Sequence, residues 1–438
     1  MMIGKTTSVC PVCLSRIPAG KVVGEDGNIY MEKRCFEHGE FRTLIWEGDL
    51  ESYRAWASMD AGGKVLPVRA VEVEKGCPYD CGLCQSHERD GCCVLLELTN
   101  RCNLRCPVCF ASAGEQKPKD LTLEEIGRQY DLLMERGGPF NIQLSGGEPT
   151  MRDDLPEIIA LGKSKGFTFF QLNTNGVRLA EEAGYAEKLA KGGVSVVFLQ
   201  FDGLDDEIYR TLRGRPLLSV KRKAIENCRE AGLPVVLVPT VAPGVNDHSL
   251  GEILRFALER MPHIRGVHIQ PISYFGRCGL EAPAMRLTIP RMLRIIEEQT
   301  HGLMKSGDFG GGGAESPYCS FHASYMRKAD GSMKALPRRR SQCCCVKSSD
   351  ARDFVSQQWS GKAAYADGDE ATSALDAFLQ QAVDNTFTVS GMLFQDAWNL
   401  DLDRLKRCYI CEVDTDLGMV PFCAYNLTDI NGRALYRR

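Results

Sequence analysis

Long apolar runs are missing from this sequence of 438 residues. No stretch reaches the ~18 apolar residues of a membrane span, and Met1 to Val9 holds no apolar segment of the kind a secretory signal needs. A membrane-spanning or exported chain is excluded on this reading, and a cytoplasmic location is expected. Charge of one sign is lacking too: 53 Lys and Arg stand against 57 Asp and Glu, a net charge of −4. The one compact basic run, Arg338-Arg339-Arg340, is too short to mark a nucleic-acid surface, so nucleic acid is not expected as a partner. With 44% apolar and 25% charged residues, the chain has the composition of a soluble protein of two or three domains.

Cysteine, by contrast, is abundant. Twenty cysteines in a reducing compartment are poor candidates for disulfides, so metal ligation is the default reading for those that cluster. Only Cys228 and Cys278 stand alone, as small buried hydrophobes do. The densest pattern is Cys102-x3-Cys106-x2-Cys109, which follows the apolar run Val94 to Leu98. About 0.04 such triplets are expected by chance at this cysteine content. Three thiolates can hold three irons of a four-iron cluster and leave the fourth open to an amine and a carboxylate. A zinc site would bring two pairs and close with four ligands.

The same spacing occurs earlier, at Cys77-x3-Cys81-x2-Cys84, with Cys92 and Cys93 close behind. Cys92 is preferred over Cys93 as a fourth thiolate, which would close this cluster and suit it to electron relay or structure. At the amino terminus Cys10-x2-Cys13 and Cys35-x2-His38 flank a predicted hairpin centred on Asp26-Gly27. These four ligands suit a mononuclear site, with zinc and iron both open. Beyond residue 305, after the break at Gly310 to Gly313, Cys319, Cys408, Cys411 and Cys423 are expected to build a further iron-sulfur site around a hairpin from Val413 to Val420. Cys343-Cys344-Cys345 would lend it one ligand or serve as redox-active thiols.

Between residues 93 and 305 short apolar runs alternate with amphipathic stretches. Strands are predicted at Val94 to Thr99, Asn141 to Leu144, Thr168 to Leu172, Ser195 to Phe201, Val235 to Val241 and Val267 to Ile272. Helices are predicted at Leu123 to Arg136, Pro156 to Lys165, Ala180 to Lys191, Val220 to Ala231 and Leu250 to Arg260. Six strand-helix units imply an α/β fold built as a partial (β/α)6 barrel of parallel strands, with ligands at the carboxyl ends. Those ends carry the cysteine loop, Gly146-Gly147-Glu148-Pro149, Asn173 with Asn175, and Gln200 with Asp202. Paired glycines admit a ligand against the backbone, and Glu148 can accept from an ammonium group. Four segments are expected: a metal-binding module at 1–62, an auxiliary iron-sulfur segment at 63–92, the barrel at 93–305 and a carboxyl-terminal auxiliary iron-sulfur region at 306–438.

Cys102, Cys106 and Cys109, followed by Gly146 to Pro149, resemble the radical S-adenosylmethionine (SAM) superfamily. The strings Gly76 to Cys84 and Glu97 to Ala111 are similar to those of the archaeal tetraether lipid synthases and the 7,8-dihydro-6-hydroxymethylpterin methyltransferases. One departure is visible: the aromatic usual before the third cysteine is Val108 here, and Phe110 follows it. The resemblance implies [4Fe-4S] clusters, one binding SAM and one or two auxiliary, and an external flavodoxin-like or ferredoxin-like electron donor. It implies that Gly146 to Glu148 meet the SAM amine and that Asn173, Asn175, Gln200 and Asp202 meet ribose or substrate. The implied reaction is reductive cleavage of SAM to a 5′-deoxyadenosyl radical, hydrogen abstraction from an unactivated carbon, and carbon-carbon bond formation on a pterin-like small molecule or between lipid chains. A radical SAM enzyme acting on peptides would bring a leader-binding domain, which is not legible here. A non-catalytic electron carrier explains Cys77 to Cys84 but not the glycines and Glu148.

Overall fold

The computed structural model describes residues 1–58, 71–114, 120–280, 286–312, 315–337, 348–361 and 374–437. Cys343 to Cys345 and the basic run Arg338 to Arg340 lie outside the described residues.

The amino-terminal module is a four-stranded antiparallel sheet, β1 (Met2–Val9), β2 (Arg16–Val23), β3 (Ile29–Cys35) and β4 (Gly39–Trp46), ordered as in the chain. The expected hairpin is β2–β3, with Gly27 at φ 81° in the turn where a side chain would be strained. The helix Leu50–Ala57 follows, capped by Asp49, whose carboxylate accepts from the Ser52 N–H at 2.8 Å. The module does not stand apart. Lys21 pairs with Asp401 at 2.6 Å, buried Lys33 donates to the Ala397 carbonyl, and Tyr53 stacks on Tyr318 at 4.4 Å.

Six parallel strands form the centre: β5 (Cys93–Thr99), β6 (Asn141–Gly146), β7 (Phe170–Thr174), β8 (Val196–Gln200), β9 (Val235–Val238) and β10 (Ile264–Pro271). They neighbour one another in chain order, which is the topology read from the alternation. Val94, Leu96, Leu98, Ile142, Leu144, Phe170 and Leu172 join the main core with Ile126, Tyr130 and Leu133 of the helix Leu123–Glu135. Full burial of each such side chain contributes roughly 1.5–3 kcal/mol. Because side chains alternate along a strand, Leu95, Glu97, Gln143, Ser145, Gln171 and Asn173 face the barrel interior. The interior is therefore polar along its first three strands.

The expected helix from Ala180 to Lys191 is two helices, Val177–Glu181 and Tyr185–Gly192, interrupted where Gly184 takes φ 76°. The carboxyl-terminal residues do not form a sheet of their own. β11 (Ser320–Arg327) lies antiparallel to β12 (Thr386–Met392), and β12 runs parallel to β10 at one edge of the barrel sheet. At the other edge β13 (Ile410–Asp414) runs parallel to β5 and turns into antiparallel β14 (Gly418–Pro421), the predicted hairpin. The composition change near residue 305 is thus no break in the sheet. Residues 350–390, featureless as sequence, supply β12 and the helix Ser348–Ser360. Trp359 of that helix packs with Phe169, Val196, Phe198 and Val236 and closes the barrel at the amino ends of its strands.

Candidate active site and metal centres

The cysteine loop leaves β5 and lies directly on the glycine pair. Gly147 donates to the Thr99 carbonyl at 2.7 Å and Glu148 to the Arg101 carbonyl at 2.9 Å. A Cβ on Gly147 would stand 2.4 Å from the Arg101 oxygen, and one on Gly146, at φ 122°, 2.4 Å from the Thr99 oxygen. The two glycines are needed because the residues just before Cys102 occupy the space of a side chain. Cys102 Sγ accepts from the Leu104 N–H at 3.4 Å. Cys102 and Cys106 are half-buried beside Leu104, Val177, Tyr209 and Leu217. Burial, then Glu148 and the neighbouring thiols, pushes Cys102 up to about 12, and burial raises Cys106. Bare thiolates are disfavoured in such a pocket, and iron supplies the positive charge they lack. The donor set fits a four-iron cluster held by three thiolates.

Glu148 is 1% exposed and its carboxylate is engaged within the protein. One oxygen accepts from Thr150 N–H at 3.0 Å, Thr150 Oγ1 at 2.6 Å and Thr174 Oγ1 at 2.7 Å; the other accepts from Asn175 N–H at 2.7 Å. It ties the end of β6 to the end of β7, and buried Pro149 opens the 3-10 turn Pro149–Met151 beside it. Asn175 in turn donates to Asn103 Oδ1 at 2.7 Å, gripping the cysteine loop. Asp202 is fully buried and takes a two-point ion pair from Arg213 at 2.7 and 2.8 Å, with a further bond from Thr240 N–H at 3.0 Å. Glu148, Asn175 and Asp202, expected at the ligand, are each held in place by hydrogen bonds within the protein. Asn173 and Gln200 are half-buried toward the interior, where Asn173 donates to Gln143 Oε1 at 3.2 Å and Gln200 Oε1 accepts from Lys221 at 2.9 Å.

Arg213 and Lys221 were not singled out in the sequence. Arg213 also donates to the Val108 carbonyl at 3.1 Å, inside the cysteine loop. Lys221 is fully buried and bridges the Asn175 carbonyl to Gln200; burial draws its ammonium down to about 7. Both sit on buried helix faces, beside Leu212 and Ala224 respectively. A charged residue inside an apolar stripe was the available signal. Phe110 packs 5.6 Å from Phe422 and under the Arg437 guanidinium, so it lies beside the mouth of the barrel although Val108 holds the usual aromatic's place.

Residues 96–257 match the family model described as the radical SAM superfamily, and residues 2–47 match an HMPTM N-terminal zinc ribbon domain. The chain is 35% identical to the 7,8-dihydro-6-hydroxymethylpterin dimethyltransferase of Methanocaldococcus jannaschii, over 96% of this chain and 93% of that protein. The chain belongs to the radical SAM superfamily. It is also 30% identical to the GTP 3′,8-cyclase of Marinobacter nauticus, over 50% of this chain and 66% of that one. Among solved structures, SAM-bound SuiB of Streptococcus suis is similar at a TM-score of 0.41 and 17% identity, over 48% of this chain and 47% of that one.

Other thiols of this radical SAM enzyme gather elsewhere among the described residues. Cys10, Cys13, Cys35 and His38 put their ligand atoms within 4.8 Å of one another, which fits a single ion in a zinc ribbon. The His38 bond draws the Cys35 thiol down to about 6, while burial pushes the Cys10 thiol up to about 11. Replacing Cys35 and His38 together by Ala is expected to remove about one zinc equivalent per chain and to open residues 2–47 to proteolysis. Metal analysis and limited digestion check this, and unchanged zinc content would contradict it. Cys77, Cys81 and Cys84 interact beside Tyr436, whose hydroxyl accepts from the Cys81 N–H at 2.8 Å. Cys92, expected as their fourth partner, lies 3.7 Å from Cys93 Sγ, with Arg352 and Glu315 as its nearby charges. Cys92 N–H bonds the Tyr409 carbonyl just ahead of the β5–β13 pairing. Cys408 lies within electrostatic reach of Cys319 and Cys423, and Cys411 within reach of Cys408 and Cys93. Half-buried Arg404 donates to Cys319 Sγ at 3.3 Å. Among the described residues, no helix is long and apolar enough to cross a membrane.

Proposed function

We propose that this radical SAM enzyme methylates a pterin-like small molecule: a hydrogen atom leaves an unactivated carbon to 5′-deoxyadenosine, and that carbon takes the methyl group of a second SAM, whose methyl–sulfur bond breaks, with one electron consumed for each SAM. The observation that carries the reading is the seating of the three-cysteine loop on Gly146-Gly147 at the mouth of a polar barrel interior. SAM and the cluster bound there supply the hard step, reductive cleavage to a 5′-deoxyadenosyl radical that removes a hydrogen atom. The electrons come from a flavodoxin-like or ferredoxin-like donor, relayed by the thiolate sites at Cys77 to Cys84 and Cys319 to Cys423. The chain itself positions the substrate and excludes water.

Interior polarity favours a pterin over a lipid chain. Gln143, Gln171, Asn173, Gln200, His268 and Gln270 lie on inward positions of the strands, with Glu97 nearest the cysteine loop. Each buried amide left facing an alkyl chain would cost about 1–3 kcal/mol, whereas the N–H and carbonyl edges of a pterin can satisfy several at once. Glu97 is held by Arg437 at 2.5 and 2.8 Å and keeps an exposed edge, placed to accept from ring N–H groups. Below, Trp359 seals the interior against Phe198, which contacts His268. The name of the relative matched over 93% of its length points the same way.

The test is turnover of the reconstituted enzyme with SAM, a reductant and a dihydropterin. Methylated pterin and 5′-deoxyadenosine are expected together, and Glu97→Gln is expected to raise the pterin KM about tenfold or more, as loss of a charge-assisted bond does. Turnover of an alkyl lipid with none of any pterin would overturn the reading.

A further inference from the structure

A second cavity lies at the opposite end of the barrel from the cysteine loop. It has a volume of about 980 Å³ and opens among the loops that precede β9 and β10, with Pro234, His263 and Arg265 in its wall. That volume is at the upper end of the range for small-ligand sites, roughly 300–1,000 Å³. Four arginines line it, Arg222, Arg229, Arg260 and Arg265. Two are already engaged: Arg229 pairs with Glu226 at 2.5 Å, and Arg260 lies over the Phe256 ring at 3.7 Å and meets Glu259 at 3.3 Å.

Arg265 differs from them. It is 3% exposed, a single Nη2–H bond of 2.8 Å to the Val383 carbonyl is shown for it, and its Nε is buried with no hydrogen-bond partner. A guanidinium does not lose its proton in a protein, so this site cannot relieve the burial by neutralising. An orphaned donor of a buried cation is costly, and a planar fork is the geometry that two oxygens of a phosphate fill. Gly361, at φ 69°, passes over this guanidinium; a Cβ there would come within 3.5 Å of Arg265 Nε. At the rim Arg222 adds a second, solvent-facing guanidinium with no ion pair among the described residues. Acid groups are present too, but Glu226 and Glu259 are each matched to an arginine, which leaves Asp384 against Arg222 and Arg265.

We propose that this cavity is a binding site for a phosphorylated small molecule of nucleotide size, with its phosphate on Arg265 and Arg222. The site is separate from the SAM pocket, because it sits at the amino ends of the strands, behind the Trp359 seal.

Calorimetric titration of the reconstituted full-length enzyme, with SAM saturating so that the active site is filled, tests this with AMP, inorganic pyrophosphate and citrate as probes. Saturable binding of AMP or pyrophosphate at one per chain is expected, weakened about tenfold or more in Arg265→Met and in Arg222→Ala. Should Arg265→Met fail to fold, as judged by its melting, Arg222→Ala decides alone. Absence of saturable binding, binding of citrate only, or affinity unchanged in the folded variants would overturn the assignment.

Discussion

Replacing Cys102, Cys106 and Cys109 together by Ala is expected to reduce 5′-deoxyadenosine formation to background while leaving a folded, zinc-containing protein. The loop is anchored by its backbone and by residues other than the thiols: Gly147 and Glu148 bond Thr99 and Arg101, Asn175 holds Asn103, and Arg213 holds Val108. The thiols' own contribution to packing is small, since Cys102 and Cys106 are only half-buried. The loss should therefore fall on chemistry, not folding. The same change at Cys77, Cys81 and Cys84 should act differently. Cys81 and Cys84 are buried, and their segment is pinned by Tyr436, so that variant should lose stability along with electron supply. Product quantified by chromatography, with melting and zinc content recorded on both variants, separates the two. Residual 5′-deoxyadenosine in the first variant would remove the loop from the reaction.

The Asp202–Arg213 pair carries the second large effect. Arg213→Met strands a carboxylate that is 0% exposed, and breaking a buried pair by removing one partner costs about 3–5 kcal/mol. Gln200, Thr240 and Asn246 still contact the Asp202 residue, which places the expected loss at the lower end of that range. The Val108 carbonyl loses its Arg213 donor in the same step, so the cysteine loop should loosen and the SAM KM rise. Denaturant titration of Arg213→Met, of Asp202→Asn and of the double variant gives the coupling directly. A double variant no less destabilised than the two singles combined would mean that the pair does not act as one unit.

The barrel was legible because its period is local. Val94 to Leu98 and Asn141 to Leu144 announce strands by themselves, and the Leu123 helix carries its own capping box, Thr122 with Glu125. The edges of the sheet were not legible. Cys93 pairs with Ile410 and Gly266 with Thr388, and no short-range pattern encodes partners so far apart. The zinc-ribbon ligands were legible for the opposite reason, since each chelating pair spans four residues and one hairpin joins them. Glu148, Asn175 and Asp202 were legible by position, but not their hydrogen bonds within the protein. A polar residue at a strand end reads the same whether it meets a ligand or braces the loop that does. Only the structure showed which of their lone pairs are already used.

Two cysteine triplets in this chain share one spacing, and the account rests on their placement: only the loop seated on Gly146-Gly147 meets SAM. Electron paramagnetic resonance of the dithionite-reduced protein, recorded with and without SAM, tests that most directly. In the Cys77, Cys81 and Cys84 to Ala variant, SAM is expected to shift the signal of the remaining SAM-binding cluster as in the unmodified protein. In the Cys102, Cys106 and Cys109 to Ala variant, the signals that remain should not respond to SAM. A SAM-dependent shift that survives in the second variant and vanishes in the first would contradict the account.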